Sequence, residues 1–392
     1  MIPELLAPTP GMTLPEPSAD AKSHSERVLR RIREEIRARG GWIPFSRYME
    51  LALYAPALGY YSAGARKLGR DGDFVTAPEI SPLFGRTLAH QVRQVLTSGP
   101  DEVLEVGAGS GALAATVLEE LERLGALPRS YLILELSADL RERSRDTLAA
   151  RVPHLLERVA WLNRLPPSFS GVVLGNEVLD AMPADVVRVR GDAIEEAGVA
   201  MQAGRLAWSY RGAPPELQRA ARALGLADGY QTELQRAAGA FVRSLGEILE
   251  RGVALFVDYG FPAREYYHAQ RSAGTLMCHY RHRAHADPFF LPGLQDVTSH
   301  IDFSAIARAA GEAGLEVLGY ASQAQFLINC GITEVMSEVS PEETAKYLPL
   351  SQQVDRLTSP AEMGELFKVI ALGRGFADPL LGFARGDRRH AL

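Results

Sequence analysis

Cysteine is scarce in this chain. Among 392 residues only Cys278 and Cys330 occur, too few for a disulfide framework and in keeping with a reducing compartment. Long apolar runs are missing too: none approaches the ~18 residues needed to span a bilayer, so no membrane-spanning helix is expected. Nor is positive charge in excess. Lys and Arg number 42 against 48 Asp and Glu, a net charge of −6, which leaves no basic surface for nucleic acid. Arginines are interleaved with acids, as in Arg30-Arg31-Ile32-Arg33-Glu34-Glu35, the pattern of a solvated helix face. The first residues combine Pro3, Pro8, Pro10, Pro15 and Pro17 with Glu4, Glu16 and Asp20, unlike a secretory signal or an Arg-rich transit peptide. The expectation is a cytoplasmic protein with a disordered tail over 1–24.

What is present is length enough for a large core, as one elaborated domain or two lobes, and one informative segment. Residues 103–111 read Val-Leu-Glu-Val-Gly-Ala-Gly-Ser-Gly, an apolar strand running into three alternating glycines. Helical spacing resumes from Ala112 to Leu124. This is the first strand–loop–helix turn of a Rossmann-like sheet, where backbone approaches a nucleotide. Gly107, Gly109 and Ala112 also fit the dinucleotide pattern G-x-G-x-x-A, and a lone match of that kind decides nothing. Three features favour a sulfonium cofactor. Glu105 lies two residues before the first glycine, Gly111 adds a third glycine, and Glu135 ends the next strand 28 residues after Gly107 rather than about 20. A carboxylate at Glu135 would accept from both hydroxyls of a ribose, which NAD and S-adenosylmethionine (SAM) share. The motif as a whole has the shape of a class I SAM-dependent methyltransferase, with a dehydrogenase as the alternative.

Strand–helix alternation predicts parallel strands at Val103–Val106, Tyr131–Leu134, Val159–Leu162, Val172–Gly175 and Val253–Asp258. Glu316–Tyr320 and Phe367–Leu372 are expected to close the sheet as an antiparallel pair. The expected fold is therefore α/β, a Rossmann-like class I methyltransferase sheet with an N-terminal helical lobe and an inserted α+β cap. The lobe covers 25–98, with helices from Ser25 to about Arg39, Pro44 to Tyr54 and Ser81 to Leu96. The core takes 99–185 and 252–375, with a loop-rich stretch at 259–299, and a C-terminal tail follows at 376–392. The cap takes 186–251, with short strands and then helices near Pro215–Leu224 and Thr232–Arg251. It would sit over the carboxyl ends of the strands, where open α/β sheets bind ligands.

Further blocks follow in order: Gly59-Tyr-Tyr61, Gly72-Asp-Phe-Val-Thr-Ala-Pro-Glu79, Gly175-Asn-Glu-Val-Leu-Asp-Ala-Met-Pro183, Val257-Asp-Tyr-Gly260, Asp296-Val-Thr-Ser-His-Ile-Asp-Phe303, Gln325-Phe-Leu327 and Glu365-Leu-Phe-Lys368. Through these blocks the chain resembles the MidA-type SAM-dependent methyltransferase family over roughly residues 25–375. Mitochondrial members of that family assist respiratory complex I assembly by methylating an arginine. The resemblance implies SAM as cofactor and a protein arginine as acceptor, hence a protein substrate. A small-molecule acceptor and a catalytically silent SAM-binding assembly factor stay open beside it. Oligomeric state is left open, a homodimer included.

Residue chemistry suggests roles. Gly107 and Gly109 would let backbone pass under the cofactor, while Ser110 and Gly111 open a helix whose amides can receive a carboxylate. Leu136, next to Glu135, is placed with the cofactor. Thr76 and Glu79 can bind the methionine carboxylate and ammonium, form a helix capping box, or do both. Asn176 would face the transferred methyl. Glu177 and then Asp180 are the carboxylates expected to hold a guanidinium and take its proton, unless they cap the next turn. His300 is a proton-acceptor candidate, or a structural histidine. Tyr60, Tyr61, Tyr266 and Tyr267 either stack on ligand or belong to the core. Cys278, His279, His282 and His285 do not have zinc spacing, and Arg281 and Arg283 would repel a cation, so no metal is expected.

Overall fold

The computed structural model describes residues 14–63 and 75–392. Gly72 to Phe74 of the family block lie outside the described residues. The main sheet has seven long strands, numbered here in chain order: β1 Glu102–Val106, β2 Ser130–Leu134, β3 Val159–Leu162, β4 Phe169–Asn176, β5 Leu249–Phe261, β6 Glu316–Ser322 and β7 Phe367–Arg374. Across the sheet they run β6-β7-β5-β4-β1-β2-β3. Strands β1 to β5 are parallel, and β7 lies antiparallel between β5 and β6. The expected closing pair is therefore present. Ile301–Asp302 extends the sheet at the end of β5.

The strands read as continuous apolar runs because both faces are covered. One face packs helices Pro82–Leu96 and Ala112–Arg123 through Leu88, Val92, Leu113 and Val117 against Val172 and Leu255. The other packs helices Arg236–Ile248 and Phe303–Glu312 through Val242, Leu245 and Ile306 against Leu104, Val173 and Phe256. The chain leaves β1 in one direction along the sheet and returns on β4 in the other, which makes the β1–β4 boundary the switch point.

Several boundaries differ from expectation. The tail does not extend to residue 24. Ser18 accepts from the Ala21 amide at 3.2 Å and starts the helix Ala19–Ala38, whose Val28, Ile32 and Ile36 are buried. The stretch 25–98 is not one lobe. Helices Ala19–Ala38 and Phe45–Tyr54 pack on the cap, whereas Pro82–Leu96 belongs to the main sheet. The cap is a five-stranded antiparallel sheet of Asp185–Arg190, Ala193–Gln202, Arg205–Gly212 and Gln231–Leu234, joined by Ile43–Pro44 from the N-terminal segment. Residues 232–251 are not a single helix: Gln231–Leu234 pairs with Asp185–Arg188, and the helix Arg236–Ile248 crosses back to the core.

Within 259–299, three short strands, Met277–Tyr280, Arg283–His285 and Asp296–Thr298, form a separate sheet. Residues 376–392 are not a loose tail either. Phe376, Leu380 and Phe383 are buried, and the Arg388 amide donates to the Tyr320 carbonyl at 2.6 Å.

Candidate active site

A cavity of about 850 Å³ opens at the carboxyl ends of β1 to β4. Its wall is built from the loop after each strand: Gly107 to Ser110, Glu135 to Ala138, Asn163 to Leu165, and Asn176 to Val178 with Ala181 to Pro183. Thr76 and Glu79 close it from upstream. The sheet thus brings together Thr76, Glu79, Glu105, Gly107, Gly109, Glu135, Leu136, Asn176 and Glu177, which are scattered over a hundred residues of sequence.

Gly107 and Gly109 hold φ of 67° and 55°, the left-handed region that a Cβ disfavours. Gly111 also lies there, at 81°, but it is not in the cavity wall. A Cβ on Gly111 would come within 2.9 Å of Ser144 Cα, so its bareness lets Ala112–Arg123 pass close to helix Ala138–Arg151. Its bareness is required by helix packing.

Glu105 is buried and accepts from the Tyr131 hydroxyl at 2.5 Å; burial pushes its carboxyl up to about 7. Burial also raises Glu135, opposed by the amides of Ser137, Gly109 and Leu136, with Ser137 at 2.9 Å. Leu136 stands at the rim, 74% exposed. Thr76 precedes the short helix Ala77–Ile80 without making a side-chain cap bond, so no capping box forms. Glu79 instead accepts from the Ser110 hydroxyl and ties this segment to the glycine loop.

After β4 the chain turns sharply. Glu177 has φ 53° and donates its amide to the Val257 carbonyl at 2.8 Å. Its side chain lines the cavity, where Asn176 Nδ2 donates to Glu177 Oε1 at 3.1 Å. Burial first, and then the neighbouring Asp180 charge, push Glu177 up to about 8. Asn176 Oδ1 is buried with no partner. Asp258 fixes this turn from behind, accepting from the amides of Leu179, Asp180 and Tyr259 at 2.9, 3.2 and 2.9 Å.

Two expected catalytic groups are not brought to the cavity. Asp180 is buried behind the wall, and burial pushes it up to about 6. His300 packs between Tyr259 and Phe261, with ring centroids at 5.2 and 5.5 Å. Burial, aided by Arg271, drives His300 down to about 3, so it takes no proton near neutral pH. Asp302 caps helix Phe303–Glu312 and accepts from Tyr267. Of the tyrosines, Tyr60 and Tyr266 are core, while Tyr61 lines the cavity. Cys278 and His285 face each other across paired strands, and among the described residues no group of three or more His, Cys, Asp or Glu converges.

Tyr54, Asn163 and Phe241 also line the cavity and had not been expected there. Asn163 had a usable signal, since it directly follows a predicted strand, where such sheets place ligands. Tyr54 and Phe241 sit on helix faces whose apolar character reads as core.

Residues 83–321, more than half of the chain, match a family described as "Putative S-adenosyl-L-methionine-dependent methyltransferase". The chain belongs to that family. A solved structure from Burkholderia thailandensis, a "likely methyl transferase" bound to S-adenosyl-homocysteine, is 53% identical, with a TM-score of 0.94 over 97% of this chain and 100% of that one. The mitochondrial protein arginine methyltransferase NDUFAF7 of Mus musculus is 30% identical over 88% of this chain and 84% of its own length. The Drosophila melanogaster homolog of that protein is 29% identical over 96% and 94%.

The site fits the family's cofactor on its own terms. Gly107 and Gly109 leave backbone bare at the switch point, Glu135 offers a buried carboxylate beside them, and Asn176 keeps an unpartnered oxygen. This is a SAM-dependent methyltransferase with a class I fold. Among the described residues no helix is long and apolar enough to cross a membrane.

Proposed function

We propose that this methyltransferase acts on a nitrogen acceptor, a protein arginine. The observation that carries the reading is Glu177, a carboxylate in the cavity wall held in a left-handed turn at the end of β4. The names of the NDUFAF7 relatives support the same acceptor.

When bound, SAM supplies a methyl group on a positively charged sulfur. Glu135 would hold the ribose hydroxyls, and Ser110 with Thr76 the methionine end. A guanidinium is protonated at neutral pH and has no free acceptor site. Burial holds the Glu177 carboxyl up to about 8 in the empty cavity; a guanidinium docked beside it favours the ionised form, which can hold that cation by charge-assisted hydrogen bonds, fix a nitrogen for in-line attack, and take the proton it sheds on methylation. Asn176 orients Glu177 through the 3.1 Å bond to Oε1.

The test is Glu177→Gln. S-adenosyl-homocysteine affinity should stay within about twofold, while methyl transfer from labelled SAM to arginine falls roughly 100-fold or more. Equal transfer by parent and variant removes Glu177 from the mechanism, and label recovered on residues other than arginine removes the acceptor. From the two buried free thiols we further infer a cytoplasmic enzyme. Cell fractionation that recovers it inside a membrane-bounded compartment overturns this.

A further inference from the structure

The block Gly59-Tyr60-Tyr61 brings one of its tyrosines, Tyr61, to the cavity wall. Gly59 is required by crowding, because a Cβ there would lie 2.5 Å from the Tyr54 nitrogen. The chain doubles back so tightly that the amides of Tyr60 and Tyr61 donate to the carbonyls of Ala52 and Leu53 at 2.8 Å. This sets the Tyr61 ring on the Tyr54 ring, with centroids 5.5 Å apart and 23° between planes. Tyr60, buried, supports Tyr61 edge-on at 5.1 Å.

Both stacked rings line the cavity, and both hydroxyls are committed away from a ligand. Tyr54 donates to the Ala181 carbonyl at 2.9 Å, and Tyr61 donates to the two oxygens of buried Asp296 at 2.9 and 3.0 Å. Ala181 belongs to the turn that carries Glu177. Glu135 and Asn163 follow β2 and β3, on the far side of β1 in the sheet order. The aromatic pair is therefore tied to the turn that carries Glu177, with Tyr54 also within electrostatic range of Glu135.

We propose that Tyr54 and Tyr61 form the wall of an acceptor subsite selective for a planar cation, with Glu177 as its counter-ion and Asp296 as the positioning residue behind Tyr61. The proposal rests on the arginine reading above and assigns its specificity to these residues. An aromatic face attracts a cation through its quadrupole, and a phenol that donates to a carboxylate is the more electron-rich. A guanidinium is flat and weakly hydrated, so it stacks on such a face while bonding a carboxylate in its plane; an ammonium is compact and strongly hydrated.

The test titrates protein saturated with S-adenosyl-homocysteine with Nα-acetyl-arginine methylamide and with its neutral citrulline counterpart, followed by NMR. The parent should prefer the arginine compound by about tenfold or more. Tyr61→Leu should remove roughly fivefold to tenfold of that preference, and Tyr61→Phe should keep most of it. S-adenosyl-homocysteine affinity should hold within about twofold in both. Tyr54→Leu is read in the same way and decides the question if Tyr61→Leu no longer binds S-adenosyl-homocysteine. A parent without preference overturns the arginine reading and the subsite together. A parent preference that survives both leucine substitutions overturns the aromatic wall alone.

Discussion

Glu177 occupies a backbone region that costs a residue with a side chain about 1–3 kcal/mol, and its protonation adds a pH signature. Its carboxyl titrates at about 8 in the folded protein against an ordinary 4.5, so the folded state keeps a proton that the unfolded chain has released. That contribution is full below pH 4.5 and is lost as pH rises through about 8. The thermal midpoint of cofactor-free Glu177→Gln should accordingly fall less between pH 6 and pH 9 than the parent's; parallel profiles would mean that another group titrates. The glycine loop separates two kinds of requirement. Gly111→Ala should destabilise by about 1–3 kcal/mol, read by urea unfolding, while the folded fraction still binds S-adenosyl-homocysteine. Gly109→Val should abolish that binding in a folded protein, since Gly109 lines the cavity. The three glycines were visible in the sequence, but alternating spacing says only that each Cβ must be absent, not what it would strike. The same limit explains Asp180 and His300: residue type marked both as chemical, and only the fold shows Asp180 buried outside the cavity lining and His300 packed between Tyr259 and Phe261.

Elements of the main sheet were legible because strands covered on both faces must be apolar throughout, as in Val103-Leu104 and Val172-Val173-Leu174. Short elements stabilised by tertiary contact were not. Gln231–Leu234, Arg283–His285 and Asp296–Thr298 have only three or four residues each and mixed polarity, so no period announces them. The helix Ala19–Ala38 begins before its apolar period does, because its first turn is polar and burial starts at Ser25. The last segment carries Arg385, Asp387, Arg388 and Arg389, charges that mask the three apolar side chains that dock. Removing residues 376–392 should therefore destabilise the fold. Phe376, Leu380 and Phe383 together bury enough for a loss of about 5 kcal/mol or more, comparable with the whole stability of many domains. Denaturant unfolding of the truncated chain with an unchanged midpoint would mean the segment contributes nothing.

Across the whole molecule, the cavity depends on a contact remote from any ligand. Ile43–Pro44 pairs with Val199 and Gly198 of the cap, and a Cβ on Gly198 would lie 2.3 Å from both the Ile43 oxygen and the Trp42 ring. Gly198→Val should prise the N-terminal helices off the cap and displace Tyr54, the next helix's last residue, from the cavity. In protein saturated with S-adenosyl-homocysteine, affinity for the arginine compound is expected to fall by about tenfold, because a wall segment that must first be ordered taxes binding; full affinity would show that the wall stands without the cap. The strand order carries a different consequence, for biosynthesis. β7 inserts between β5 and β6 although it is the last strand of the chain, so the ribosome releases β5 about a hundred residues before the neighbour that covers its edge. At roughly 5–20 residues per second, a thirteen-residue apolar strand waits for seconds with one edge bare. A translation product halted before Phe367 is thus not a smaller methyltransferase but a template for aggregation, and a growing chain has reason to recruit a chaperone during that interval.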